Sequence, residues 1–175
     1  MKLNLLCHRE GQSLIEAALL LPLLITIAFN AINIGYFFYV YLNLATAPRQ
    51  GAEYSIQGAA TTQESKLPSA DDVSTLVYED VTGAIPSSAN TPMRVCTLAS
   101  GLSGSGASQV PNCNSYGVGA GTFSVLQADP EAPFLVLNRV DIQYRVAPLI
   151  PGGAFNLIMP PSLTFHRLVY MRAEN

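Results

Sequence analysis

The sequence predicts an α+β protein with a long N-terminal transmembrane helix, a second short helix and a small antiparallel sheet in an outer domain. Three observations carry that expectation. Residues 17–48 contain no charged side chain. Val73, Leu76, Val77, Val81 and Ala84 share one helical face behind an acidic first turn, Asp71 and Asp72. Arg139-Val140-Asp141-Ile142-Gln143-Tyr144-Arg145-Val146 alternates polar and apolar side chains, as a strand with one buried face does.

The first element follows from length and charge. Crossing a hydrocarbon core about 30 Å thick takes roughly 20 helical residues at about 1.5 Å each, and residues 17–36 supply them without a charge. Lys2 and Arg9, with His8, precede the span and favour a cytoplasmic N-terminus, so the rest of the chain is expected outside. Tyr36, Phe37, Phe38, Tyr39 and Tyr41 crowd the far end, where amphipathic rings prefer the headgroup layer as anchors. A removable secretory signal fits poorly. Its apolar core would be about 7 to 15 residues, and the small-residue site Ala45-Thr46-Ala47 lies beyond the aromatic belt and runs into Pro48. Pro22 and Gly35 predict a kink. Leu42, Ala45, Ala52 and Ile56 extend the helical spacing to about Gln57, with a kink or restart at Pro48 as consistent with the pattern as a continuous rod. The expected segments are a charged leader 1–11, a transmembrane helix 12–41, its extension 42–58, a polar linker 59–67 and the outer domain 68–175.

In the outer domain, Pro68 and Ser69 signal the start of the second helix, and Gly83 or Pro86 its end. Met93 through Leu98 and Thr122 through Gln127 are candidate strands. Ser162 through Arg172 is the expected partner of the alternating strand. Between those two, Pro148, Pro151, Gly152, Gly153, Pro160 and Pro161 mark a broad loop whose Leu149, Phe155, Leu157 and Ile158 are expected to tuck onto the sheet. Roughly 110 residues suffice for a single modest core.

Cys96 and Cys113 flank a Gly/Ser-rich stretch and, outside the cytoplasm, read as one disulfide; the alternative is two free thiols. Closing such a loop is worth about 3 kcal/mol. No second ligand pair accompanies them, so no metal site is expected. His166 stands alone on a strand, and Gly101-Leu102-Ser103-Gly104-Ser105-Gly106 lacks the lysine and helix of a phosphate loop. Asp71-Asp72 and Glu79-Asp80 read as solvated helix charges. With net charge −3 and no basic cluster in the outer domain, nucleic-acid binding has no electrostatic footprint. No catalytic residues, cofactor or small-molecule substrate are expected.

The junction Glu10-Gly11-Gln12-Ser13-Leu14-Ile15-Glu16 admits two readings. In one, Ser13 and Glu16 form a capping box on a helix that begins after Gly11, and the macrodipole favours the carboxylate there. In the other, the glycine, the basic leader and the uncharged run together resemble a class III signal, cleaved between Gly11 and Gln12 by a prepilin peptidase, with Glu16 as the fifth residue of the mature chain. The two can coexist. The run Gly11-Gln12-Ser13-Leu14-Ile15-Glu16-Ala17-Ala18-Leu19-Leu20-Leu21-Pro22-Leu23-Leu24 resembles the TadE-like minor pilins of the tight-adherence pilus system. Ala47-Pro48-Arg49-Gln50-Gly51-Ala52-Glu53-Tyr54 is similar to the segment with which that family leaves the membrane. A weaker likeness continues in Val140-Asp141-Ile142-Gln143-Tyr144 and Met171-Arg172-Ala173-Glu174. Ala17 departs from the aromatic residue usual in the major pilins, which favours a minor component.

The resemblance implies a structural pilin or pseudopilin in the bacterial cytoplasmic membrane. Its partners would be other pilins, pilus assembly proteins, the peptidase and the bilayer. The leader, including Cys7, would be removed. Glu16 would pair with the new amino group of a neighbouring chain. From spacing alone, Thr26, Asn30 and Asn33 form a polar stripe, read either as a contact face for another helix or as amides bonded to local carbonyls or water. Ala31 and Gly35 form a small-x-x-x-small pair that admits a neighbouring backbone. The alternative function is a membrane-anchored periplasmic binding or sensor module whose helix is a plain tether.

Overall fold

Helix α1 (His8–Gln57) carries the uncharged run and continues as helix through Pro22, Gly35 and Pro48. In the computed structural model, which describes residues 8–57, 67–84, 91–118, 123–153, 160 and 162–175, it is followed by α2 (Ala70–Ala84) and six strands. These are β1 (Met93–Cys96), β2 (Leu102–Ser103), β3 (Val110–Pro111), β4 (Cys113–Tyr116), β5 (Leu135–Val146) and β6 (Leu163–Glu174). The α+β class is the one the sequence predicts. Residues 1–7, most of the expected linker, Pro86, Thr122, Phe155, Leu157, Ile158 and Pro161 lie outside the described residues.

The start of α1 differs from the expectation. The helix already includes His8, Gly11 and Gln12, so Ser13 and Glu16 lie within helical turns and not at an N-cap. A capping box does form at α2. The Ser69 N–H and hydroxyl donate to Asp72 Oδ2 at 3.0 and 2.7 Å, and the Asp72 N–H donates back to Ser69 Oγ at 3.2 Å. Asp72 is thus a partner in the cap and not merely a solvated charge.

The chain forms two compact units. One comprises Met1–Phe38 with Ala147–Leu163, and the other Tyr39–Val146 with Thr164–Asn175. In the second unit the sheet order is β4-β1-β5-β6, with β1 antiparallel to both β4 and β5. A separate two-stranded ribbon, β2 with β3, fills the connection from β1 to β4. The C-terminal part of α1 buries Val40, Leu44, Ala47, Gly51 and Ser55, a stripe of helical period. From α2 come Val73, Val77 and Val81, and from β5 Val136, Val140, Ile142 and Val146. Tyr41 packs edge-on against Phe165 at 5.7 Å, and the Arg167 guanidinium lies 4.3 Å over the Tyr41 ring.

Gly51 sits where three elements meet. A β-carbon there would collide with Val77 Cγ2 and lie 3.4 Å from Val73 and 3.8 Å from Val140. Valine is stiff at χ1 and cannot swing aside, so a larger residue must push the helices apart. Gly51→Ala should therefore destabilise by about 1 to 3 kcal/mol despite alanine's better helix propensity. Gly35→Ala, in open space, should not destabilise. Chemical unfolding of the two full-length variants checks this pair, and equal midpoints would contradict the crossing.

Two further expectations are corrected. Residues 123–127 form no strand, because the Ser124 and Val125 carbonyls accept from Arg139 at 2.9 and 3.2 Å in place of a ladder. Leu149, expected to tuck away, is 58% exposed.

Candidate functional site

Along the N-terminal half of α1, apolar side chains point outward in every direction. Leu14, Ile15, Leu19, Leu20, Leu21, Leu23 and Leu24 are all exposed, which leaves no water-facing side. Such a helix needs apolar surroundings all round. From Gln12 to Tyr36 it measures about 36 Å, enough for a hydrocarbon core. The helix is compatible with a single-pass membrane anchor. Glu16 is exposed on it, and among the described residues it makes no ion pair.

The polar stripe turns inward on its own chain. The Thr26 hydroxyl donates to the Pro22 carbonyl at 2.8 Å and the Asn30 amide to the Thr26 carbonyl at 2.7 Å, both one turn back. Asn33, 1% exposed, reaches out of the helix. Its Nδ2 donates to the Ile150 carbonyl at 3.2 Å, and the Ile150 N–H donates to its Oδ1 at 2.9 Å. Ala31 and Gly35 remain exposed, and the space beside Gly35 is open.

The unit that holds the sheet contains a buried charge cluster that sequence reasoning missed. Arg139 and Asp141, two residues apart on one face of β5, are ion-paired and fully buried. Arg139 Nη1 donates to the Ser124 and Val125 carbonyls and Nη2 to Ser124 Oγ, while buried Nε makes no hydrogen bond, and the guanidinium lies 5.5 Å from the Tyr170 ring. His166 Nε2 stands 3.6 Å from the other Asp141 oxygen, so this histidine is not alone. Arg172 is paired likewise with buried Asp129 at 2.9 Å and with Glu131 at 3.6 Å. On the opposite face, buried Asn138 donates to Ser55 Oγ at 3.1 Å and accepts from the Leu98 N–H at 3.0 Å, stapling α1 to the sheet. The Arg-x-Asp spacing on a strand was the available signal, since it places both charges on one face. Among the described residues no group of three or more His, Cys, Asp or Glu could hold a metal.

Two tyrosines are shifted. Burial raises Tyr78, whose hydroxyl donates to the Thr91 carbonyl at 2.6 Å. Burial, then a hydrogen bond to Asp71, raises Tyr116. Burial and neighbouring Glu79 raise Asp80. Unfolding returns the tyrosines to about 10, so above that value the unfolded chain binds fewer protons than the native one. Their contribution to stability is full below about pH 10 and is lost as pH rises through the folded values. Tyr78→Phe should flatten the alkaline limb of a stability-versus-pH curve, and an unchanged limb would contradict this.

Residues 11–53 match the model of the TadE-like protein family. Over this stretch the chain is similar to that family. No curated protein and no solved structure matches it. The TadE-like segment begins at Gly11, contains Glu16 and the polar stripe, and ends within α1 beyond Gly51. It thus spans the exposed apolar helix and the glycine on which α2 and β5 close. The disulfide lies outside it: Cys96 and Cys113 are bonded across β1 and β4.

Proposed function

We propose that this protein is a minor pilin or pseudopilin, a structural and non-enzymatic component of tight-adherence pilus assembly. The carrying observation is the TadE-like match over a helix whose N-terminal half is apolar on all sides, with Glu16 the single carboxylate between Gly11 and Pro48. In this reading the N-terminus is cytoplasmic, the outer unit lies beyond the bacterial inner membrane, and a prepilin peptidase cuts between Gly11 and Gln12. The cut falls inside the first turns of α1. Glycine there weakens the helix by about 1 kcal/mol relative to alanine, which makes local opening for the peptidase inexpensive. The exposed helix then packs against other pilins and the assembly machinery, with Ala31 and Gly35 on an open flank.

Glu16 supplies the test. Its charge would pair with the amino group of Gln12 on a neighbouring processed chain, in surroundings where an unpaired charge is costly. Processed Glu16→Gln protein should keep a mature N-terminus at Gln12 yet fail to co-purify with the other pilus components. Recovery equal to wild type would refute the pairing. A bulky residue at Gly11 should leave the precursor uncut, and a leader retained on wild-type protein would favour a tethered binding or sensor module.

A further inference from the structure

The connection from β5 to β6 is a long uncharged stretch: between Arg145 and His166 there is no Asp, Glu, Lys or Arg. Ala147–Leu163 belongs to the same compact unit as the first part of α1, up to Phe38. Within Pro148-Leu149-Ile150-Pro151, the two prolines bring no N–H, and both backbone groups of Ile150 are taken by Asn33. Irregular backbone enters an apolar medium only where such groups are satisfied by protein. Leu149 next to this contact is left exposed.

Asn33 lies on the uncharged run, three residues before Tyr36. At about 1.5 Å per residue the contact is about 5 Å along the helix below Tyr36 and about 12 Å below Tyr41. Interfacial segments bury their apolar side about 5–10 Å into the headgroup and acyl boundary, which is this depth. We propose that the segment around Leu149 is a second membrane contact, inserted into the outer leaflet beside α1 and latched to it by Asn33. The proposal rests on the reading that α1 spans a bilayer. Lipid is the occupant favoured by continuity with that span and by the complete lack of charge.

The chain contains no tryptophan, so single tryptophans report their surroundings without background. Leu149→Trp, Leu20→Trp on the span and Val125→Trp on the exposed outer surface are reconstituted as full-length protein in phosphatidylcholine vesicles. Brominated acyl chains and aqueous iodide serve as quenchers. Leu149→Trp should show blue-shifted emission, a loss with brominated lipid comparable to that of Leu20→Trp, and protection from iodide, whereas Val125→Trp should show the reverse. Quenching of Leu149→Trp by iodide and not by lipid would overturn the proposal, and so would quenching by neither, which would mean a protein covers the segment. If Leu20→Trp is itself unquenched by lipid, the spanning helix fails too. Quenching of Leu20→Trp without Leu149→Trp overturns the second contact alone.

Discussion

Asp141→Ala is expected to destabilise the unit that holds the sheet by about 3 to 5 kcal/mol, the cost of leaving one member of a buried ion pair without its partner. Arg139 is fully buried, and after the change its charge would face carbonyls, Ser124 Oγ and the Tyr170 ring with no carboxylate to balance it. Those contacts orient the guanidinium but do not neutralise it. Asp141→Asn should fail similarly, because an amide restores hydrogen bonding and not charge. The double variant Arg139→Met with Asp141→Leu should recover most of the loss, since an apolar pair of similar volume avoids the desolvation of both ions. Denaturant unfolding of the full-length proteins reads all three. A midpoint for Asp141→Ala within experimental error of wild type would show that the pair is not buried in solution.

That cluster marks the limit of what the sequence made legible. The apolar face of α2 and its acidic first turn were readable because a helix writes its burial into a local period, and α2 indeed buries Val73, Val77 and Val81. The alternation along β5 was readable for the same reason. Its polar face was expected in water, yet Arg139 and Asp141 are buried there. Whether a strand face is wet depends on which distant segment lies over it, and nothing in the strand records that. Residues 123–127 show the converse, a run with strand propensity whose carbonyls are claimed by an arginine from β5. For Asn33 the stripe admits another helix, or a local carbonyl or water. The partner is instead a loop of its own chain 117 residues away. Gly51 stands in the segment that resembles the family's, and the reason for a glycine there is the close approach of Val77, which the sequence does not record. Polar β4, Cys-Asn-Ser-Tyr, gave no strand signal because it stands at the edge of the sheet and is held by a covalent bond to β1.

Loss of that bond should be felt first where it acts. Cys96 and Cys113 are register partners, 17 residues apart in sequence, and their bond closes the loop that carries the β2–β3 ribbon. β1 is also held by β5, whereas β4 lies at the sheet edge with the Tyr116 hydroxyl bonded to Asp71 of α2. Removing both thiols in a Cys96→Ala and Cys113→Ala variant frees the loop in the unfolded chain, which lowers stability by about 3 kcal/mol, within a usual range of about 2 to 5. In the native state the release should concentrate on β4 and the ribbon, which lose their covalent tie, while β5 keeps its pairing with β1. Hydrogen exchange on full-length protein in detergent should accordingly quicken across residues 102–116 before it quickens in β5. Cys7 is absent from the mature chain in the proposed processing, so mature wild-type protein treated with a reductant should reproduce the variant. Unaltered exchange in 102–116 after reduction would show that strand pairing alone holds the edge, and the disulfide would then contribute through the unfolded chain only.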